Sequence, residues 1–373
     1  MRLIYVSHSF SPTGAPLTNV GGMQRVAMEL HQALRERSDV SLRTIALRSS
    51  WRWVHVRSVP FLVSAGARLG FEARRFRADA VLFTSMTTSL ALLLAGAKLR
   101  SQGVPVASIA HGLDITDPNP AYQRALRRIR RHLDLAMPVS RATGDQLKAL
   151  GFREDQIEVV HNAVDVDRFA TPGSPRATEP RIAGARVPEG AFLAVAVGRQ
   201  VRRKGFSWFI EQVMPRVPER VVFWLAGDGP ERPTIERAIA DAGLRERVRC
   251  LGKVSEADLV ALYRRADLFV MPNIPVAGDM EGFGIVMLEA GACGVPTLAA
   301  DLEGIRDVIQ EGTNGWFCPP ADAEAFAGKI RSLLDAPAEL DAVRRSTAEY
   351  VSSTFRWSHA AQRYLDALGR LTG

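Results

Sequence analysis

Apolar residues along this chain fall in short unbroken runs rather than in strict alternation with polar ones. The first half carries "RLIYV" from Arg2, then "AVLFTS", "PVASIAH" and "LAMPVS". The second carries "AFLAVAVGR", "VVFWLAGDG", "RVRCLG", "LFVMPN" and "PTLAA". A strand covered on both faces reads this way, so parallel sheets sandwiched by helices are predicted. Helix-length segments separate the runs: Met23 to Arg37, Ala142 to Leu150, Ser207 to Val213, Pro233 to Ala242, Glu256 to Arg265 and Asp322 to Leu334. Repeated alternation of this kind predicts an α/β, doubly wound architecture. "SLALLLAGA" (Ser89 to Ala97) is too short to span a bilayer and reads as a buried helix.

The alternation lapses between Ala170 and Gly190, where proline, glycine and small polar residues dominate and no apolar period survives. So long a structureless stretch is unusual inside one compact domain, so 170–190 reads as a linker. The expected organisation is an N-terminal domain over 1–169 and a second over 191–354. Each half opens with a strand that leads into a turn suited to phosphate. Two Rossmann-like domains facing a cleft are the expected solution, with ligands at the carboxyl ends of the strands.

Composition narrows the class. With 373 residues, 47% hydrophobic and 24% charged, the chain suits two ordinary globular cores. No apolar run reaches the roughly 18 residues of a membrane span, and no signal-peptide pattern precedes the first strand. Three widely spaced cysteines supply neither a disulfide framework nor a zinc site, and a cytoplasmic protein is expected. The formal net charge of +8, mostly arginine, favours an anionic partner. Its densest run is "RALRRIRRH" (Arg124 to His132), which reads as a solvated helix face or as a contact with anionic membrane. No zinc finger, RNA-recognition signature or aromatic stacking platform accompanies it, so nucleic acid is not an expected partner.

The candidate chemistry begins with "GDMEGFGIVMLEAGACGVP", where Glu281 and Glu289 stand among glycines and apolar residues. A buried carboxylate is costly unless it is neutralised, bonded or used. The run after "EGFG" is helical in character, which would put Glu281 at a helix N-terminus and Glu289 two turns inside. Taken alone, both could be structural. "GRQVRRKG" follows an apolar strand, and Arg199 and Lys204 could supply a fork and a point charge to a diphosphate, or form a solvated basic turn. Gly21 and Gly22 precede a helix in a Gly/Pro-rich loop, where backbone N–H groups can reach phosphate oxygens. His111, in "HGLD" at another strand end, could act on a sugar or simply brace a turn. The acidic triplet Asp165-Val166-Asp167 matches a metal-holding signature of other sugar transferases but reads as a turn entering the linker. There is no P-loop, no GxGxxG after the first strand and no nucleophile elbow.

In order along the chain, the loop "GG", "HG" after an inner strand, "GRQVRRKG", "AGDGPER", "EGFGIVMLE" and "EGIRDVIQEGTNGWFCPP" resemble the motifs of retaining GT-B glycosyltransferases. The likeness is to family four, which includes bacterial sucrose and phosphatidylinositol mannosyl transferases. It extends over essentially the whole chain and is strongest in the second half. "FRWSHAAQRYLDAL" resembles the family's last helix, implying that 355–373 completes the N-terminal, acceptor-side domain. The resemblance implies an E-x7-E pair, with Glu281 on the donor sugar and Glu289 on the nucleotide ribose. Backbone groups of Gly282, Phe283, Gly284 and Ile285 would lie near sugar and phosphate. Arg199 and Lys204 would neutralise the diphosphate, approached also by Gly22 beside Gly21. Gly252, Lys253 and Val254 would line the base pocket, and His111 would stand near the transferred sugar.

By the same resemblance the enzyme needs no metal and no cofactor, and the departing phosphate serves as base in a front-face attack. The implied partners are a UDP- or GDP-sugar donor and a glycan, lipid-linked or small-molecule acceptor, with peripheral contact to anionic membrane allowed by the basic helix and by "WRWVHVRSVPF" (Trp51 to Phe61). One residue departs from the pattern. Gln24 stands where the family commonly has Glu two positions after the glycine pair, which touches acceptor or domain-closure contacts rather than donor binding. A nucleotide-sugar epimerase or hydrolase on the same fold, and a non-catalytic nucleotide-sugar-binding protein, are the competing readings.

Overall fold

Eleven strands, all paired in parallel, form two sheets in the computed structural model, which describes residues 1–12, 21–49, 51–169 and 181–372 without the side chains of 51, 52 and 55. The first sheet is built from β1 (Arg2–Phe10), β2 (Ser41–Arg48), β3 (Ala80–Phe83), β4 (Val106–Ala110) and β5 (Leu135–Pro138), in the order β2-β1-β3-β4-β5. The second holds β6 (Phe192–Val197), β7 (Val221–Ala226), β8 (Val248–Gly252), β9 (Leu268–Met271), β10 (Thr297–Ala300) and β11 (Gly315–Cys318), ordered β11-β10-β9-β6-β7-β8. Each is a Rossmann-like α/β layer, as the continuous apolar runs predict. Central strands such as β3, β4 and β7 are buried along their whole length. β2, at a sheet edge, is half exposed. β5, at the other edge, ends on Pro138, whose missing N–H costs no ladder bond there.

The chain divides into two compact units. The first holds Met1–Ala163, Gly278–Phe283 and Trp357–Gly373, and the second Val164–Ala277 and Gly284–Arg356. Six residues from deep in the second half of the chain, 278–283, are therefore part of the first unit. The final helix, Trp357–Thr372, is anchored there by the Trp357 indole Nε1, which donates to Glu29 (2.6 Å). In the second unit, Phe209 and Phe223 pack with ring centroids 4.7 Å apart, and Phe326 meets Phe209 edge-on at 6.1 Å. Buried Asp267, which immediately precedes β9, accepts from the Leu193 amide (2.8 Å) and lies 3.5 Å from Arg344. It ties the amino ends of β6 and β9 together.

Helix α1 (Gly22–Arg35) follows the glycine pair, and α2 (Trp51–Phe76) is a 26-residue helix that the apolar runs do not announce. "SLALLLAGA" divides into a short 3-10 turn, Thr88–Ala91, and helix α3 (Leu92–Ser101). Its expected full burial is corrected: Leu92, Ala95 and Leu99 face the core, but Leu93 and Leu94 are exposed. Of the expected linker, 170–180 lies outside the described residues. From 181 the chain makes a tight Ile182–Ala185 bridge before β6.

One packing contact sets an acid limit on the first unit. His31 on α1 is wedged edge-on against Phe10 (5.2 Å between centroids) and bonded through Nε2 to the Thr44 hydroxyl (2.8 Å). Burial, with Arg35 and Arg48 nearby, pulls its pKa from the usual 6.5 down to about 4. Between those values the unfolded chain binds a proton that the native fold refuses, so stability falls as pH drops through that window. Urea midpoints for wild type should decline more steeply between about pH 6.5 and about pH 4 than those of His31→Gln. Parallel declines would show that His31 plays no part.

Candidate active site

The site residues gather at the carboxyl ends of the strands in each unit. In the first unit, β4 runs into His111 and Gly112, with Gly112 at φ 103°, a conformation that excludes most side chains. Asp114, buried, locks this turn. One carboxylate oxygen accepts from the His111 amide (2.7 Å) and the other from the Met86 amide (2.9 Å), which joins the loops after β3 and β4. The Tyr122 hydroxyl adds a bond to the Asp114 carbonyl (2.6 Å). The His111 ring is fixed in turn: Nε2 lies 2.8 Å from the Thr84 carbonyl oxygen, which can only accept, so Nε2 carries the proton. In the neutral ring, Nδ1 is left as the acceptor.

Against this turn lies the segment 278–283. Any side chain at Gly282 would collide with the His111 carbonyl, and a Cβ on Gly112 would stand 3.2 Å from Gly282 Cα. Only glycine at both positions allows such an approach. Glu281, beside Gly282, is buried, and Phe283 packs its ring 5.7 Å from that of His161. The first unit thus brings His111, Glu281, Gly282 and Phe283 together. A further histidine stands at the end of β1, where His8 Nδ1 meets the Thr88 hydroxyl (2.7 Å) among buried Ser7, Ser9, Thr84 and Ser85.

Gly21 and Gly22 open α1. The Gly21 carbonyl accepts from the amides of Gln24 and Arg25 (3.0 and 3.1 Å), and Gln24 is buried. Among the described residues, a Cβ on Gly22 would meet nothing within 4 Å.

In the second unit, three glycine-bearing loops meet backbone to backbone. Gly198 (φ 150°) ends β6 and Gly227 (φ 125°) ends β7. A side chain on Gly227 would strike the Gly198 carbonyl, and the Gly227 amide donates to the Gly252 carbonyl (2.7 Å) at the end of β8. Lys204 is the one buried lysine or arginine among the described residues. Its ammonium lies 3.8 Å from Met271 Sδ at the end of β9, and its chain covers Gly198, where a Cβ would stand 3.5 Å from Lys204 Cε. The Arg202–Lys204 turn is closed by Gly205 (φ 65°), pressed against the Pro272 carbonyl. Arg199 and Lys253 are exposed, and Val254 is half-buried.

Helix Ile285–Ala292 begins after Gly284, which takes a left-handed conformation (φ 87°) and would bring a Cβ within 3.2 Å of Met271 Cε. Lys204 and Gly284 therefore both approach the same methionine. The helix starts directly after "EGFG", as the sequence suggests, with Glu281 in the loop just ahead of it, but Glu289 lies about one turn inside rather than two. Glu289 is the fifth helical residue and is buried, accepting from the Tyr263 hydroxyl (2.9 Å) on the helix Glu256–Arg265. Tyr263 itself packs edge-on against Phe169 (6.1 Å). The acidic pair near the linker is engaged locally: Asp165 accepts from the Arg168 amide (3.2 Å) and Asp167 lies 3.5 Å from Arg356.

Sequence reasoning singles out His111, Glu281 and Glu289 but not the groups that hold them. Asp114 is signalled by its position three residues after His111, an acid able to reach back to that amide. Tyr263 has no such signal, because its link to Glu289 is made between two helices.

Comparisons with known proteins agree with this geometry. The family described as "Glycosyl transferases group 1" matches residues 191–336, and the one described as "Glycosyltransferase Family 4" matches 20–168. WcaL of Escherichia coli, assigned to colanic acid biosynthesis, is 29% identical over 341 residues, spanning 86% of this chain and 79% of that one. The D-inositol 3-phosphate glycosyltransferase 1 of Catenulispora acidiphila is 28% identical, spanning 71% of this chain and 66% of its own. The GDP-mannose-dependent alpha-(1-6)-phosphatidylinositol monomannoside mannosyltransferase of Mycobacterium tuberculosis is 30% identical over 285 residues, 75% of this chain and 73% of that one. Among solved structures, sucrose-phosphate synthase of Thermosynechococcus elongatus superposes with a TM-score of 0.78 at 19% identity, covering 100% of this chain and 99% of its own. Anabaena HepE in complex with UDP superposes at 0.76 with 18% identity, covering 99% and 100%. These last two share the fold. The chain belongs to the GT-B glycosyltransferases, in the family of group 1 glycosyl transferases.

Proposed function

We propose that this protein is a retaining glycosyltransferase of family 4 that moves a hexosyl unit from a UDP- or GDP-sugar to a hydroxyl group. The acceptor is a glycan, lipid-linked or small-molecule alcohol, and the reaction belongs to envelope polysaccharide or glycolipid synthesis. The observation that carries this reading is the loop set of the second unit, where Lys204 overlies Gly198 at the mouth of β6 and Gly284, which opens the Glu289 helix, approaches the same Met271 side chain as Lys204. Glycine loops, a buried cation and a helix start at strand ends suit a diphosphate. The substrates named for the relatives, GDP-mannose among them, and the UDP held by HepE point to the same donor class.

In this reading the bond between the anomeric carbon and the phosphate breaks with negative charge growing on the diphosphate and positive charge on the sugar. Lys204, Arg199 and the backbone N–H groups of Gly284 and Ile285 stabilise the first. Gly22, at the start of α1, offers backbone N–H groups to the same phosphates. Glu281 accepts from the sugar hydroxyls and stabilises the growing positive charge. Glu289, oriented by Tyr263, holds the ribose hydroxyls. Gly252, Lys253 and Val254 border the base. His111, its Nε2 committed to Thr84, meets the sugar through Nδ1. No carboxylate is assigned as a nucleophile; the leaving phosphate takes the acceptor proton on the front face. The first unit is then the acceptor side and the second the donor side. Three free thiols are in keeping with a cytoplasmic site of action.

We also propose that the reaction needs no metal, because Arg199 and Lys204 supply the positive charge. Radiolabelled UDP- and GDP-sugars incubated with excess EDTA should give a glycosylated product only when an acceptor alcohol is added. Sugar release at full rate from donor alone would favour a hydrolase, and loss of transfer on chelation, restored by magnesium or manganese, would reopen the role of Asp165 and Asp167.

Lys204→Ala should reduce turnover by on the order of a hundredfold, the scale for losing one preorganised electrostatic group. Steady-state rates check this, and near-normal turnover would remove Lys204 from the diphosphate.

A further inference from the structure

Helix α2 is apolar on two faces. One face, with Val54, Ala65, Leu69 and Ala73, is buried in the core of the first unit. The opposite face carries Trp53, Val56, Val59, Val63 and Phe71, each between 50% and 68% exposed. At 3.6 residues per turn these five fall within an arc of about 120°. Arg57, Arg68 and Arg75, all exposed, fall within about 20° of one another along one edge of that arc. At the other edge Gly66 lets α3 approach so closely that a Cβ there would stand 3.1 Å from Leu94 Cβ. Leu93 and Leu94 are 50% and 58% exposed, so the apolar ridge continues onto α3.

Seven of the eight large apolar side chains exposed among the described residues lie on these two helices. That concentration is not the scattered exposure of an ordinary surface. Positive charge surrounds it. Lys98 and Arg100 end α3, and Arg124, Arg127 and Arg128 are exposed on the neighbouring helix Pro120–Ile129. Residues 51–76, 92–101 and 120–132 contain a single acid, Glu72, which pairs with Arg43 (2.6 Å).

We propose that α2 and α3 form the face by which this protein docks peripherally on an anionic lipid bilayer. Trp53, Val56, Val63 and Phe71 enter the boundary between headgroups and acyl chains, while Arg57, Arg68 and Arg75 pair with headgroup phosphates. No helix among the described residues is long and apolar enough to cross a membrane, so the helix lies on the surface. A second copy of the chain is a poorer occupant, since symmetric pairing would bring two arginine-rich borders together with no acids between them. The docking face is independent of the reaction assigned above.

Co-sedimentation of the full chain with vesicles tests this, using phosphatidylcholine alone and equal parts phosphatidylcholine and phosphatidylglycerol, at low and high salt, with light scattering for mass. Wild type should bind the mixed vesicles, less at high salt, and bind pure phosphatidylcholine weakly. A Val56→Asp/Val63→Asp variant and an Arg57→Glu/Arg68→Glu variant should each partition at least about tenfold less, with thermal midpoints unchanged because the side chains are exposed. Absence of wild-type binding, binding by both variants at the wild-type level, or a dimer dispersed by the aspartates without vesicle binding would each overturn the proposal.

Discussion

A carboxylate taken out of water has to be given donors, and the four buried carboxylates among the described residues organise this protein. Asp267 is met by the Leu193 amide and by Arg344 at the amino edge of its sheet. An acid with an arginine partner, on the side of a parallel sheet away from its ligands, holds the fold together. The other three stand toward the carboxyl ends. Asp114 spends both oxygens on the amides of His111 and Met86, and so defines the turn that presents the histidine. Glu289 takes the Tyr263 hydroxyl. Glu281 sits on a segment whose neighbouring Gly282 is pressed to the His111 carbonyl. Their surroundings give each a definite position, and in the proposed reaction that would be the preorganisation electrostatic catalysis requires.

The same segment explains the glycines. Residues 278–283 leave the second half of the chain to join the first unit, and the pairing of Gly112 with Gly282 permits that junction. In the second unit the Gly198–Gly227–Gly252 chain of backbone contacts binds the ends of three adjacent strands into one rim. Lys204 emerges from a turn closed by Gly205 against the Pro272 carbonyl, and its chain covers Gly198 on that rim. In the proposed reaction, a charge held this way would need little reorganisation as the sugar–phosphate bond breaks. The apolar face of α2 belongs to the first unit, which is the acceptor side in the functional reading, so an acceptor carried by lipid would meet the enzyme at the surface where both reside.

Much of this was legible in the sequence because the central strands are buried on both faces, and unbroken apolar runs mark such strands plainly. β2 and β11, the strands that end the two sheets on one side, went unmarked. β2 has exposed positions throughout, and β11 is only four residues long. Helix α2 was invisible for the opposite reason: with apolar residues on both its core side and its outer side, no single stripe stands out, and Pro60 interrupts the pattern further. "SLALLLAGA" reads as a buried helix because leucine and alanine alone do not report which turns of a helix face the core and which face outward. His111, Glu281 and Glu289 were readable as chemistry set among glycines and apolar residues. Asp114 was readable only as a spacing and Tyr263 not at all, since tertiary packing alone brings Tyr263 to Glu289.

In the proposed reaction the two glutamates of "EGFGIVMLE" divide the work, Glu281 acting on the transferred sugar and Glu289 on the nucleotide. Calorimetric titration of Glu281→Gln and Glu289→Gln with UDP and with GDP, set beside their steady-state rates, tests it most directly. Glu281→Gln should lose kcat while binding the preferred nucleotide nearly as wild type does, because its charge matters only as the sugar becomes positive. Glu289→Gln should weaken that binding by about 1–3 kcal/mol and raise KM, as expected for loss of a charged hydrogen bond. The reverse pattern, with nucleotide affinity lost in Glu281→Gln and binding and turnover normal in Glu289→Gln, would contradict the account.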